Sequence, residues 1–313
     1  MLEIKENIPL APYTIYKIGG PARFFAEAKN AMELESAVRY AREKSVPFFI
    51  MGAGSNMLVS DRGFDGVAIR MAGGGVRGEG ERLIADAGVM MARAVMEAAR
   101  AGLAGFEWGV GVPGTVGGSV RGNAGCFGGE MKNIFESGEI FDTKKVSSFK
   151  FQAADCGFAY RDSIFKQHPE WVIVSATLRL KKGDQAAIQN EIRRITAERN
   201  AKQDIGTKSC GCIFKNPAWP ESAKEKEELL REHPELAPFS ERAHIPGSFL
   251  IDRAGMKGQC VGCVCVSGTH ANFFINEGGA TAADVCSLIA RAKEKVAKLF
   301  GVTLQEEIQY IGF

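Results

Sequence analysis

Charge of one sign is what this chain most plainly lacks. Lys plus Arg number 39 and Asp plus Glu 37 in 313 residues, a formal net charge of +2. Such a balance supplies no field that would gather nucleic acid or an anionic membrane. Long apolar runs are also missing: the longest uncharged run, Gly258–Asn276, is broken by Gln, Ser, Thr, His and Asn, which excludes it as a spanning helix. The N-terminal Met-Leu-Glu-Ile-Lys-Glu-Asn has no apolar stretch of the secretory kind. A soluble, unsecreted, cytoplasmic monomer is therefore expected, with neither nucleic acid nor membrane as partner. Proline is scarce, at 11 residues; with the 37 glycines it stays well below the roughly 25–30% that marks disorder. The eight cysteines are expected to remain reduced, since a chain of this length without a signal sequence is read as cytoplasmic.

Glycine is the residue in surplus: 37 of 313 is about fifteen more than an average usage of about 7% gives. Eleven of the glycines fall between positions 102 and 129. That density in a folded chain means backbone at positive φ, or backbone pressed against a flat or anionic group, and a large cofactor explains both. A loop-rich β region with many turns is the alternative. A second cluster, Gly52-Ala-Gly-Ser-Asn56, directly follows the apolar run PFFIM, where backbone N–H groups can cradle a phosphate. The dinucleotide fingerprint fails there, because Met57 stands at the third glycine position and Arg70 where an acid belongs. No GxxxxGK[ST] loop occurs anywhere in the chain.

The size suggests about two domains at roughly 150 residues each. Leu34, Ala37, Val38 and Ala41 share a helical face over 31–44, with Asn30 as N-cap and Glu33 three residues on. Apolar runs at 47–51, 66–71, 82–88 and 171–180 read as strands. Ile188, Ile192 and Ile195 mark a polar amphipathic helix, and a charged stretch follows at 221–233. A long helix is expected to start at Thr281 and stop at Gly301, with Val285, Leu288, Ile289, Ala292, Val296 and Leu299 inward. The final EEIQYIGF alternates like a strand, and its place after that helix would let it return to another domain. No internal repeat of fixed period is evident.

Eight blocks, TIYKIGGPARFF (14–25), GAGSNMLVSDRGFDG (52–66), GVPGTVGGSVRGNAG (111–125), YRDSIF (160–165), GCIFKNP (211–217), LIDRAGMKG (250–258), SGTHANFFIN (267–276) and EEIQYIG (306–312), run in order along nearly the whole chain. Together they resemble the UDP-N-acetylenolpyruvoylglucosamine reductase family, flavoenzymes of peptidoglycan precursor synthesis. The resemblance implies an α+β fold: a two-subdomain FAD-binding unit of the vanillyl-alcohol-oxidase/PCMH type, followed by a C-terminal α+β substrate-binding domain. The expected divisions are 1–70 and 71–190 for the two flavin subdomains and 191–301 for the substrate domain, with 302–313 returning to the flavin site. It also implies that Gly52, Gly54, Ser55 and Asn56 line the FAD pyrophosphate loop. Pro113, Gly114, Thr115, Gly117, Gly118, Asn123 and Gly125 would press against the pyrophosphate and the ring system. No histidine precedes His168, so a histidyl–flavin bond in the first 167 residues is excluded and the FAD is expected to be non-covalent. Cys126 reads as a small packed thiol.

The family reaction reduces the enolpyruvyl ether of UDP-N-acetylglucosamine to UDP-N-acetylmuramate, with NADPH as hydride donor through FAD. Negative charge builds beside the substrate carboxylate, so the step needs a cation and a proton donor. By resemblance, Arg161 is that cation and Glu307 stands near the transferred proton; Glu306 would point to the opposite side of the strand. Cys212 occupies the place where most relatives carry the proton-donating serine. A thiol, with a reference pKa of about 8.5, is the stronger acid, so Cys212 is expected to be the general acid and to be sensitive to oxidation or alkylation. The alternative is an inert cysteine with water as donor. Tyr160, Lys215, Asn216, His270 and Asn272 match positions that face the nucleotide-sugar, and Gln309 departs from a common arginine. Residues 217–246 form a charged segment that compact relatives often lack, either a mobile cover or a solvated helical insertion.

Three competing readings remain open. Cys210, Cys212, Cys260, Cys263 and Cys265 invite a zinc or iron–sulfur site, though their spacing is only partly right and no metal is expected. Another flavin oxidase of the same superfamily, acting on a sugar or hydroxy acid, is a second reading. A nucleotide-sugar-binding homologue that has lost catalysis is the third.

Overall fold

The computed structural model describes residues 2–313. The first layer is a mixed sheet containing β1 (Ile4–Pro9), β2 (Pro21–Ala28), β3 (Phe48–Met51) and β5 (Phe64–Met71), with helix α1 (Ala31–Glu43) against it and the short β4 (Met57–Val59) beyond its edge. The strand order is β1-β2-β5-β3; β1 is antiparallel to β2, and β5 runs parallel to both of its neighbours. The start of α1 is fixed locally: Asn30 Oδ1 accepts from Glu33 N at 3.0 Å, while the Glu33 carboxylate accepts from Lys29 N at 2.8 Å. Leu34, Ala37, Val38 and Ala41 recur at helical spacing, are fully buried, and meet Phe24, Val67 and Ile69 of the sheet.

The second layer is an antiparallel sheet of five strands, β6 (Val76–Glu79), β7 (Arg82–Asp86), β8 (Phe135–Asp142), β9 (Ser147–Gln152) and β10 (Trp171–Arg179), in the order β9-β8-β10-β7-β6. Helices α2 (Met91–Arg100) and α3 (Val116–Arg121) pack on it, and α4 (Gln185–Lys202) packs against α2. Ile188 and Ile192 of α4 lie in the same core as Leu83, Val95 and Trp108. The boundary expected at 190/191 therefore falls inside a helix, and the packing of α4 puts it with the second sheet.

The third unit holds α5 (Ala223–Glu232), α6 (Gly247–Arg253), the small sheet β11 (Cys260–Val261), β12 (Val264–Val266) and β13 (Phe274–Asn276), the long α7 (Ala282–Phe300), and β14 (Gln309–Ile311). A capping box between Thr281 and Asp284 begins α7, and Gly301 at φ 66° ends it. The helix is also capped from another layer, because the Asp61 carboxylate accepts from Ala282 N and Ala283 N. One inward assignment is corrected: Leu299 is 45% exposed, and Phe300 is the residue buried there. The core of this unit takes Tyr16, Ile18 and Leu58 from the first layer, so the two share one interior. The C-terminal strand does return: β14 pairs parallel with β4, immediately beyond the 52–56 turn.

The expectation of eight reduced thiols is also corrected, since Cys260 and Cys265 form a disulfide. They stand directly opposite each other across the β11–β12 pair, a placement that brings side chains together whatever the compartment suggests. Cys126, Cys156, Cys210, Cys212, Cys263 and Cys286 are free. No helix among the described residues is long and apolar enough to cross a membrane.

Candidate active site

The two glycine clusters meet. The 52–56 turn leaves the C-terminal end of β3, and the 113–118 segment enters α3 with Thr115 as N-cap, its Oγ1 accepting from Gly118 N at 3.3 Å. A Cβ on Gly52 would sit 2.6 Å from Thr115 Oγ1, and one on Gly114 would sit 2.7 Å from Ser55 Oγ. Gly54 is required for a different reason: its φ is +62°, and a side chain there would collide with the Tyr13 carbonyl. Among the described residues, no protein group accepts from the backbone N–H groups of 52–56, which leaves a row of free donors at a strand end. Bare backbone on both sides and unclaimed N–H groups are what a dinucleotide pyrophosphate fits.

Asn123 departs from its expected role. Its side chain donates to Glu130 Oε2 at 3.0 Å and to Ala159 O at 2.8 Å and accepts from Lys132 N at 2.9 Å, so its amide is taken up within the protein. Its work is to hold the backbone just before Tyr160. Pro113 and Gly118 are exposed beside the cleft, and Gly117 packs on Ala87. Gly125 lies against Glu130.

Arg161 sits on backbone at φ +54°, a conformation that costs a side-chain-bearing residue about 1–3 kcal/mol and persists only where neighbours enforce it. Those neighbours are present: Lys166 Nζ donates to the Arg161 carbonyl, and Ser163 Oγ donates to Arg121 O at 2.6 Å. The Arg161 guanidinium lies 5.5 Å from the centre of the Tyr160 ring. Its Nε is 3.1 Å from Glu307 Oε1 without the alignment of a regular hydrogen bond, so charge holds the pair. Burial pushes the Glu307 carboxyl above its ordinary value, against the pull of Arg161, Lys166 and Lys215. Burial opposes the charge on Arg161, but Glu307, Tyr160, Cys212 and Cys126 together offset it and its pKa is raised.

The C-terminal segment delivers Glu307 to this place through backbone bonds. Glu307 N donates to Ile213 O at 2.7 Å, Asn56 Nδ2 donates to Glu307 O at 3.1 Å, and Gln309 N donates to Asn56 O at 3.0 Å. Glu306 turns away and accepts from Lys293 Nζ at 3.0 Å. The 52–56 turn, the segment carrying Cys212 and Glu307 are thus tied in one hydrogen-bond network.

Cys212 directly precedes Ile213 and forms an isolated bridge to Phe273. Although part of its surface reaches solvent, burial first and the Glu307 charge second push its thiol up to about 12, with Arg161 and Arg199 pulling the other way. A thiol held in its protonated form by burial suits an acid better than a nucleophile. Asn272 is corrected as well. Its Oδ1 accepts from Phe214 N at 2.9 Å and its Nδ2 donates to Phe214 O at 2.8 Å, so at 1% exposure it fixes the segment that carries Cys212 from the protein interior. His270 belongs to a separate cluster with Ser267, Asp204 and Lys257; burial lowers its pKa, and its Nδ1 is buried without a partner. Among the described residues no contact joins it to Arg161 or Glu307.

Lys215 and Asn216 lie next on this segment, where Asn216 N donates to Tyr160 Oη at 3.3 Å and Asn216 Oδ1 accepts from Gly247 N at 2.9 Å. The segment after them is anchored at its base and is not a loose cover: Ile245 N donates to Pro217 O at 2.9 Å and Trp219 Nε1 to Arg242 O at 2.9 Å. Only α5, with no fully buried residue, fits the expectation of a solvated helix.

Sequence reasoning missed Lys166, although it follows the Arg161 motif directly; burial first, then Lys215, lowers its pKa. It also missed Arg199, which is 7% exposed and ties α4 to Gly111 O and to Cys126 Sγ at 2.9 Å. No local pattern marks this role of Arg199, because Gly111 and Cys126 lie more than seventy residues away and only Gln203 is near in sequence. A surface groove lined by Glu81, Asn133, Arg179, Leu180, Lys181 and Lys182 shares no residue with this cluster. Among the described residues no group of three or more His, Cys, Asp or Glu side chains could hold a metal.

Two family models match the chain: an FAD binding domain over residues 22–144, and the C-terminal domain of UDP-N-acetylenolpyruvoylglucosamine reductase over residues 202–311. Among curated relatives, the UDP-N-acetylenolpyruvoylglucosamine reductase of Solibacter usitatus is 35% identical, covering 99% of this chain and 97% of its own. That of Carboxydothermus hydrogenoformans is 38% identical over 99% and 94%. The crystal structure of the corresponding reductase from Thermus caldophilus superposes with a TM-score of 0.75 at 30% identity, covering 99% of each chain.

Proposed function

Since the chain belongs to the UDP-N-acetylenolpyruvoylglucosamine reductase family, we propose that it reduces the enolpyruvyl ether of UDP-N-acetylglucosamine to UDP-N-acetylmuramate, with NADPH as the reductant and FAD as the carrier. The observation that carries this reading is the convergence of Arg161, Cys212 and Glu307 beside two facing strips of bare backbone. Gly52, Gly54, Ser55 and Asn56, opposed by Gly114 and Thr115, would hold the FAD pyrophosphate; the close approach of Gly52 to Thr115 and of Gly114 to Ser55 supports this reading. Bound there, FAD would supply hydride-transfer chemistry between NADPH and the substrate vinyl group.

The protein's own groups handle charge and proton. Arg161 is cationic and partly buried, so it stabilises the substrate carboxylate and the enolate charge that develops next to it. Lys166 and Lys215 add positive charge in the same place, as their pull on Glu307 attests, and favour an anionic substrate. Cys212 gives its thiol proton to the carboxylate-bearing carbon, and the pair of electrons left on sulfur is reprotonated from solvent or through Glu307. Asn272 acts one step back by fixing the segment that carries Cys212.

The test is spectroscopic. The purified protein is expected to be yellow, to bleach anaerobically with NADPH, and to regain its colour when the enolpyruvyl nucleotide-sugar is added. A protein reoxidised rapidly by air and not by that substrate would favour the oxidase reading. Colour that never bleaches would favour a binding homologue.

A further inference from the structure

We infer that the 217–246 segment is a wall of the substrate site, and that His244 within it is a positioning residue for the Tyr160–Arg161 pair. The inference rests on the reductase reading above. Its basis is a closed ring of contacts. The His244 imidazole stacks on the Tyr160 ring with centroids 4.1 Å apart and planes 29° from parallel. The His244 backbone bridges Ala218, two residues beyond Asn216, and the Asn216 N–H returns to the Tyr160 hydroxyl at 3.3 Å.

Tyr160 is therefore held at two points, its hydroxyl by the Asn216 N–H and its ring face by His244. The base of the segment is rigid, because Ile245 and Leu236 are fully buried in the core of the third unit. Two further ties close the segment on itself: Lys226 Nζ donates to Ser240 O at 2.8 Å, and its ammonium lies 5.1 Å from the centre of the Trp219 ring. Fixing Tyr160 constrains the next residue. Arg161 occupies left-handed backbone, and its guanidinium must stay both near the Tyr160 ring and 3.1 Å from Glu307. A Tyr160 ring free to rotate would release one of the few constraints that hold Arg161 in this unfavourable conformation. Stacking, not charge, is the property of His244 that matters.

The experiment compares wild type, His244→Ala, His244→Gln, His244→Phe, Tyr160→Leu and the Tyr160→Leu/His244→Ala double variant as purified holoenzymes. Losing the ring is expected to lower kcat roughly three- to tenfold, with His244→Phe restoring most of it. The KM for NADPH, the rate of flavin bleaching by NADPH and the melting temperature should not move, which separates positioning from a merely structural role. The double variant should be no slower than Tyr160→Leu alone, because His244 acts through Tyr160. If His244→Ala folds poorly, His244→Gln carries the same expectation. Wild-type kcat in both non-aromatic variants, or losses that add to those of Tyr160→Leu, would overturn the proposal alone. A wild-type enzyme inert towards the enolpyruvyl nucleotide-sugar would overturn the function, and this proposal with it.

Discussion

Replacing Cys212 by alanine isolates the proton transfer from every other event in the turnover. A thiol pushed up to about 12 is ionised in only about one molecule in ten thousand at pH 8, against roughly a quarter of free cysteines. The acid is therefore fully loaded from pH 6 to 9, and its titration leaves no mark on the rate in that range. A positioned general acid contributes typically 10²–10⁴-fold, so Cys212→Ala is expected to slow flavin reoxidation by the nucleotide-sugar by about that factor. Flavin reduction by NADPH should be unchanged, because it needs no proton from this side chain. Cys212→Ser keeps a hydroxyl donor in the same place and should stay within about tenfold of wild type. Stopped-flow absorbance of the flavin measures the two half-reactions separately. Alkylation gives an independent reading: at pH 8 the iodoacetamide adduct on Cys212 should form on the order of 10³-fold more slowly than on an unperturbed thiol, with exposed Cys263 labelled first. The reasoning is refuted if Cys212→Ala is reoxidised within about threefold of the wild-type rate, since water would then be the donor.

Two further outcomes follow from the geometry. Asn272→Ala strands the buried Phe214 N–H and carbonyl that the amide now satisfies. It should cost roughly 2–4 kcal/mol in denaturant unfolding and slow turnover as well; an unchanged midpoint would deny Asn272 its bracing role. Glu307, whose carboxyl is raised by burial, keeps its proton in the folded protein at pH values where the unfolded chain has lost it. Stability should then decline as pH rises from about 4.3 through the folded value and level off above it, and Glu307→Gln should flatten that decline in melting curves.

Much of the fold was legible because its causes are local. Asn30 and Glu33 fix the start of α1, Thr281 and Asp284 that of α7, and Gly301 supplies the left-handed stop. Each works through atoms three or four residues apart, so a linear reading finds them. The glycine clusters were legible for the same kind of reason, since a missing Cβ is a property of the residue itself. Where local pattern misled, a neighbour from elsewhere decided: Leu299 gave way to Phe300 on the inward face of α7, and Cys260 met Cys265 across a hairpin.

The candidate site divides the same way. The identities of Arg161, Cys212 and Glu307 stood in motifs, but their meeting depends on β14 returning to lie beside β4, on a contact between residues some 250 positions apart. Asn123 and Asn272 matched site motifs, yet only the packed structure reveals that their amides bond within the protein, to backbone groups and, for Asn123, to Glu130 as well. The thiol of Cys212 carried an ordinary acidity in the sequence, and burial beside Glu307 changed it. His244 and Arg199 had no signal at all, because a stacking partner or a distant carbonyl is defined by the chain that arrives next to it. The sequence by itself determined which backbone could approach a cofactor and which side chains could carry charge or a proton. Tertiary structure decided which of them are free to act, since exposure, hydrogen-bond occupancy and pKa are set by neighbours that only folding brings together.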